Sequence, residues 1–303
     1  DALDQAAGGC IGGTLAADMA TDAKAKGSVA MVAKLEQMMQ DGMYYEAQQM
    51  YQNAALRLTS HGQTAQARRL LRDGTAAMVD TGKVENAMAL AKQYIEISAD
   101  SPADDAAGAV DEVVRICERF PEGAESHRLA VLHAAIKWTA AAGGGRQGDA
   151  RLHLAAARCH RTLGEHGAAA KHYPRGFAPV EYSGYLVERC RQAFPEEQDL
   201  FVCRAVLQYL ALGNTAHAHA VLMAFGQQFE PEGLQPTPLL NFTRLVICAV
   251  ERENYVLYAT LLSEYSVALN RDPSFRQYAN HIGELWFGIP APKAGGGLGS
   301  LLG

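Results

Sequence analysis

Asp41-Gly42-Met43-Tyr44-Tyr45-Glu46-Ala47 separates two stretches in which apolar residues recur at helical spacing, and its reading decides the fold. A glycine can close a helix in the left-handed conformation without steric cost. An alanine five residues later then falls in the first turns of the next helix, where two helix backbones come closest. The same pattern stands at Gly62…Ala67 and Gly82…Ala87, at an interval of 20 residues, with weaker copies at Gly164…Ala169 and Gly213…Ala218. One helix plus one turn per repeat makes a helical hairpin of about 40 residues, the unit of a stacked α-solenoid. The expected fold is therefore all-α, a right-handed α-solenoid of helical hairpins.

Outward from this repeat, helical periodicity predicts helices over 28–40, 44–60, 64–80, 84–98, 104–119, 125–141, 149–163, 165–174, 178–192, 197–212, 215–229, 237–251, 254–269 and 273–286. The arrangement is close to tetratricopeptide repeats, with slightly longer helices. No stretch alternates with period two for more than a few residues. A short hairpin or loop is expected only at 229–238, where three prolines exclude a helix. Residues 1–27, rich in Gly and Ala, read as a flexible leader. Residues 28–290 read as a single solenoid, and 291–303, with their glycine run, as a flexible tail.

Composition agrees. Of 303 residues, 49% are hydrophobic and 20% charged, and the apolar share is carried mainly by the helix-favouring Ala and Leu. There is no run of 18 apolar residues, and 27 Lys and Arg against 33 Asp and Glu leave a net charge of -6. That balance argues against nucleic acid as the main partner and against direct membrane insertion. The six cysteines are scattered singly, which fits buried free thiols in a reducing compartment, and the acidic N-terminus does not resemble a secretory signal. The cytosol is the expected location.

The sequence lacks the marks of chemistry. His153 and His160 share a helix face but stand about 10.5 Å apart along it, too far to hold one ion, and His217 and His219 point to different sides. There is no G-x-S-x-G and no G-x-x-x-x-G-K-[ST], and the glycine clusters at 143–145 and 295–297 follow helices instead of linking a strand to a helix. Carboxylates such as Glu196, Glu197, Asp104 and Asp105 sit at helix starts, where the macrodipole favours them. No catalytic, cofactor or metal residues are expected. What remains is surface for partners. Arg68, Arg69 and Arg72 share a helix face and form a local basic patch, although 28–98 holds seven basic and seven acidic residues. Aromatics gather near the C-terminal end, where most should be core and some could line a groove for an amphipathic helix.

The stretch Lys34-Leu35-Glu36…Gly42-Met43-Tyr44-Tyr45-Glu46-Ala47-Gln48-Gln49-Met50-Tyr51 resembles the start of the Golgi-to-ER traffic protein 4 family. Further segments resemble that family in order: Ala135-Ile136-Lys137-Trp138, Arg151-Leu152-His153, Asp199 to Leu210, Pro238-Leu239-Leu240-Asn241-Phe242, Arg271-Asp272-Pro273-Ser274-Phe275, and Ile282 to Pro290. The resemblance covers about 30 to 303.

It implies a non-catalytic scaffold for guided entry of tail-anchored proteins, bridging the complex that captures them to the targeting ATPase that delivers them to the ER. It implies that the N-terminal half, 28–150, faces the ATPase, with Lys34, Tyr45, Gln48, Arg68, Arg69 and Arg72 as expected contacts. The C-terminal half, 151–290, would face the ubiquitin-like subunit or the large BAG-family chaperone subunit, through Phe229, Leu234, Phe242, Tyr265, Trp286 and Phe287. Two positions depart from the family. Gln48 stands where the family usually has His, so an imidazole contact does not carry over. The 229–238 segment is shorter and more proline-rich than the insertion that forms a β-hairpin clamp in fungal members. The alternative class is a tetratricopeptide-like adaptor or a lid-type subunit of another large assembly, but lid-type subunits usually end in a winged helix and no strands are predicted after 237.

Overall fold

Gly42, Gly62, Gly82, Gly164 and Gly213 all adopt φ between +71° and +75°. After each of Gly42, Gly62, Gly82 and Gly213 the next amide reaches back into the helix just ended: Met43 to the carbonyl of Met38 (2.9 Å), Gln63 to Leu58 (2.9 Å), Lys83 to Met78 (2.7 Å) and Asn214 to Tyr209 (2.9 Å). These bonds satisfy carbonyls that a helix end leaves orphaned. The alanines that follow, Ala47, Ala67, Ala87, Ala169 and Ala218, are completely buried. The repeat read from the sequence is thus a turn device followed by a close-packing residue.

The structure, a computed structural model, describes residues 25–100, 106–142, 147–229 and 236–290. The tail 291–303, Leu234 and all but the last three residues of the expected leader lie outside them. So does most of the expected 229–238 hairpin or loop. Among the described residues there are fifteen α-helices and no strand. By contacts between Cα atoms the chain divides into two compact units, 1–163 and 164–303.

The first unit holds α1 (Ala25–Gln40), α2 (Tyr44–Ser60), α3 (Thr64–Asp80), α4 (Val84–Ala99), α5 (Ala106–Arg119), α6 (Glu125–Ala141) and α7 (Ala150–Thr162). Each packs on the next, and α2 with α4, α3 with α5, α4 with α6 and α5 with α7 pack one layer further on, the contact pattern of stacked hairpins. Their shared core includes Leu35, Leu71, Met78, Leu90, Val131, Leu132 and Leu152, all nearly inaccessible. Helix α1 starts three residues before the expected 28, running through Gly27.

The second unit holds α8 (His166–His172), a 3₁₀ turn (Tyr173–Gly176), α9 (Pro179–Gln192), a second 3₁₀ turn (Pro195–Glu197), α10 (Gln198–Ala211), α11 (Thr215–Phe229), α12 (Pro238–Glu251), α13 (Tyr255–Glu264), α14 (Ser266–Leu269) and α15 (Pro273–Phe287). Several of its helices start on proline or on side-chain caps. Thr237 accepts from the Leu240 amide, Asn254 from Leu257 and Asp272 from Ser274. Its core is aromatic: Tyr173 stacks on Tyr182 and Tyr185, both at 5.1 Å between ring centres. The Tyr182 hydroxyl donates to Gln208 Oε1 (3.1 Å), and Gln208 Nε2 donates to the Tyr278 hydroxyl (3.2 Å), so the buried amide is bonded at both ends. The expected single helix over 254–269 is interrupted at Tyr265 (φ -96°, ψ 15°), whose ring packs on Phe242 at 5.8 Å.

Candidate interaction surfaces

In the first unit, the residues expected to meet a partner lie on α1, α2 and α3. Lys34 is exposed on α1, one residue before the buried Leu35 that docks this helix. Tyr45, 67% exposed, stands at the start of α2. Its neighbour Tyr44 is half-buried and holds the Lys83 ammonium over its ring at 4.6 Å, joining the starts of α2 and α4. Gln48 is half-buried and turned toward α4: its Oε1 accepts from Asn86 Nδ2 (2.7 Å) and its Nε2 donates to Gln52 Oε1 (3.3 Å). Gln93 of α4 adds a bond to the Gln52 carbonyl (3.1 Å), so where the family usually has an imidazole this chain has an amide ladder between two helices.

The three arginines of α3 differ in exposure and in pairing. Arg69 is exposed and Arg68 half-buried. Arg72 pairs with Asp73 at 2.8 Å and lines a cleft of about 500 Å³ between α3 and α5. Arg115 and Arg119 of α5 enter the same cleft, over an apolar floor that includes Val79 and Ile116. Each of its arginines has a carboxylate, Arg115 with Glu112 (2.8 Å) and Arg119 with both oxygens of Asp80 (2.9 and 3.1 Å). The cleft is charged but balanced, and exposed pairs of this kind contribute little to stability. The α5 residues were readable as a Glu112, Arg115, Arg119 face at helical spacing. Their meeting with Arg72 depends on how α3 and α5 pack.

In the second unit the structure sorts the expected contacts by burial. Phe229 and Phe242 are core residues, 4% and 0% exposed, so the expectation that they meet a partner is corrected. Phe229 stacks on Phe225 at 5.3 Å, and Phe242 faces Tyr265. Tyr265, Trp286 and Phe287 are half-buried. The Trp286 indole N–H donates to the Leu210 carbonyl at 2.9 Å, tying α15 to the end of α10, and Phe287 packs on Tyr258 (4.9 Å) and Tyr255 (6.1 Å). The side chains most open to a partner at this end are ones the sequence reading passed over: Val256 (74% exposed), Val267 (83%) and Leu285 (50%). A signal existed, since α13 (Tyr-Val-Leu-Tyr-Ala-Thr-Leu-Leu-Ser-Glu) carries more apolar residues than one buried face can use.

The buried thiols are not poised for chemistry. Burial pushes Cys117, Cys190 and Cys203 each up to about 12, so they stay protonated at neutral pH. Cys159 is buried as well, as the sequence suggests for its cysteines; Cys248 is exposed, and Cys10 lies outside the described residues.

A profile of the family described as Golgi to ER traffic protein 4 matches residues 61–303. The chain belongs to the Golgi to ER traffic protein 4 family. The Golgi to ER traffic protein 4 homolog of Bos taurus is 30% identical over 286 residues, covering 93% of this chain and 87% of the relative. The Homo sapiens homolog is 29% identical over 274 residues, covering 89% and 83%. The crystal structure of C. therm. Get4 superposes with a TM-score of 0.75 at 24% identity, over 90% of this chain and 95% of that one, which supports the all-α solenoid fold. None of the described helices is long and apolar enough to cross a membrane.

Proposed function

We propose that this member of the Golgi to ER traffic protein 4 family is a non-catalytic cytosolic scaffold. It would bridge the complex that captures tail-anchored proteins to the targeting ATPase that delivers them to the ER membrane. The observation that carries this reading is family membership across most of the chain, with one fold shared between this chain and a solved relative. Two further features support it. The chain offers two separate compact units, each with its own surface, as a bridging protein needs. Residues 236–290 are helical or turn and contain no strand, which disfavours the lid-type alternative with its winged helix.

The geometry refines the contacts proposed for each partner. On the ATPase side, Lys34, Tyr45 and Arg69 are exposed, and Gln48, Arg68 and Arg72 are half-buried, with Gln48 bonded to Asn86 and Arg72 paired with Asp73. On the side of the ubiquitin-like subunit or the BAG-family chaperone, Tyr265, Trp286 and Phe287 are half-buried, with the exposed Val267 two residues after Tyr265 and the exposed Leu285 next to Trp286. Interfaces concentrate energy in a few anchors of this kind.

The test is a pull-down of the targeting ATPase by the full chain, with Arg68→Glu/Arg69→Glu as the variant. Reversing two charges at an electrostatically steered interface should weaken capture by roughly tenfold or more, with the deficit shrinking at high salt. Absence of ATPase binding by the unaltered chain would overturn the bridging role. Equal binding by the variant would move the contact away from this part of α3.

A further inference from the structure

Among the described residues one arginine is buried: Arg175, 6% exposed, in the 3₁₀ turn that follows α8 in the second unit. Its Nη1 donates to the Lys171 carbonyl at 2.8 Å, while its buried Nη2 has no hydrogen-bond partner and no carboxylate among the described residues pairs with it. Burial pulls its pKa below the ordinary arginine value, yet a guanidinium keeps its charge at neutral pH. A line of hydrogen bonds runs toward it. Tyr173, two residues earlier in the same turn, stacks on Tyr182, whose hydroxyl donates to Gln208 Oε1 (3.1 Å), and Gln208 Nε2 donates in turn to the Tyr278 hydroxyl (3.2 Å). Tyr278 thus has its own O–H left to give, and it finds no acceptor among the described residues. Two arginines act electrostatically on this hydroxyl, Arg204 and Arg175; Arg204 is neutralised by Asp272, and Arg175 is not. Two donors, one of them charged, therefore lack an acceptor in the interior of one unit.

We propose that Arg175 and Tyr278 hold a small monovalent anion of the chloride class inside the second unit. A buried charge is tolerated when it is paired and hydrogen-bonded, and one anion accepts from both unspent donors at once. The single unpaired guanidinium compensates one negative charge, so a sulfate or phosphate would carry its second charge into the interior without a partner. The enclosure of Arg175 likewise favours a free ion over a side chain brought by another protein. The ion ties the 3₁₀ turn, which packs on α9 and α10, to Tyr278 of α15. Its two donors come together only in the fold, so it stabilises the folded state over the unfolded one.

The experiment follows the unfolding temperature of the full chain as sodium chloride replaces sodium gluconate at constant ionic strength, beside Arg175→Met and Tyr278→Phe. The expected result is a saturable rise of about 2 °C or more in the unaltered chain relative to Arg175→Met, with about tenfold more chloride needed in Tyr278→Phe. Sodium sulfate at the same ionic strength should produce no such difference between the unaltered chain and Arg175→Met. Methionine keeps much of the arginine stem and removes the unpaired charge, so without chloride Arg175→Met should be at least as stable as the unaltered chain. Crystals of the unaltered chain soaked in sodium bromide give a readout that needs no variant, an anomalous peak beside Arg175 and Tyr278. The absence of a saturable chloride response, an equal response in Arg175→Met, or no bromide peak at this place overturns the site. An equal response to sulfate overturns its assignment to a small monovalent anion.

Discussion

Glu253 occupies the place that a glycine holds in the other turns. It has φ +49°, and the amide after it, Asn254, reaches back to the Ala249 carbonyl at 2.9 Å, the same bond seen after Gly42, Gly62, Gly82 and Gly213. A residue with a Cβ is strained in this conformation by roughly 1–2 kcal/mol, while glycine loses more entropy on folding by roughly 0.5–1 kcal/mol. The first effect is the larger. Glu253→Gly should therefore stabilise the chain by about 0.5–1 kcal/mol. Gly62→Ala should destabilise it by about 1 kcal/mol, because nothing lies within 4 Å of the added Cβ and only the backbone term remains. Urea unfolding of both variants measures the pair, and a stability loss in Glu253→Gly would contradict this account of the turns. The repeat glycines were legible from spacing alone. Glu253 was not, because its side chain hides the turn it makes.

At the scale of the element, helix α7 shows how one carboxylate can serve two roles. Asp149 caps the helix by accepting from the Arg151 amide (2.9 Å), and its side chain pairs with the Arg151 guanidinium (2.8 Å), which also reaches Asp111 of α5. The Arg151 side chain holds the Asp149 carboxyl below its usual range, with the Arg151 amide adding to the effect and partial burial opposing it. A carboxyl whose folded value is depressed contributes stability that is fully present above its unfolded value, near ~3.9, and is lost as pH falls through the folded value. Asp149→Asn keeps the cap but removes the charge, since Asn and Asp cap about equally well. The variant should thus be less stable than the unaltered chain at pH 7, with the gap narrowing below about pH 4. Thermal unfolding from pH 7 to pH 3 reads this directly, and a gap that does not change with pH would show that the ion pair contributes nothing. The existence of α7 was legible in its periodicity. The link from Arg151 to Asp111, 40 residues earlier, was not, because it depends on α5 and α7 packing.

For the whole molecule, a charge of -6 spread over a helical surface leaves local patches to choose partners. A protein that neutralises few phosphates loses the sequence-independent term that supplies most nucleic-acid affinity. The chain should not retard a duplex DNA oligonucleotide at physiological salt in a gel shift, and a salt-sensitive shift at micromolar protein would overturn that expectation.

The sequence by itself determined the all-α class, nearly every helix boundary, the five glycine turns and the alanines packed behind them, because turns, caps and helical periodicity are local properties encoded within a few residues. The ordered motifs also pointed to the family. Tertiary structure alone decided which aromatics are core and which are open: Phe242 and Val256 look equally apolar in the sequence, yet one is fully buried and the other largely exposed. It also set Arg72 beside Arg115 and Arg119 of α5 in one cleft and brought His133 to His160 from 27 residues away. Burial and pairing are set by which helix faces meet, and those contacts join residues too far apart in the chain for any local pattern to record them.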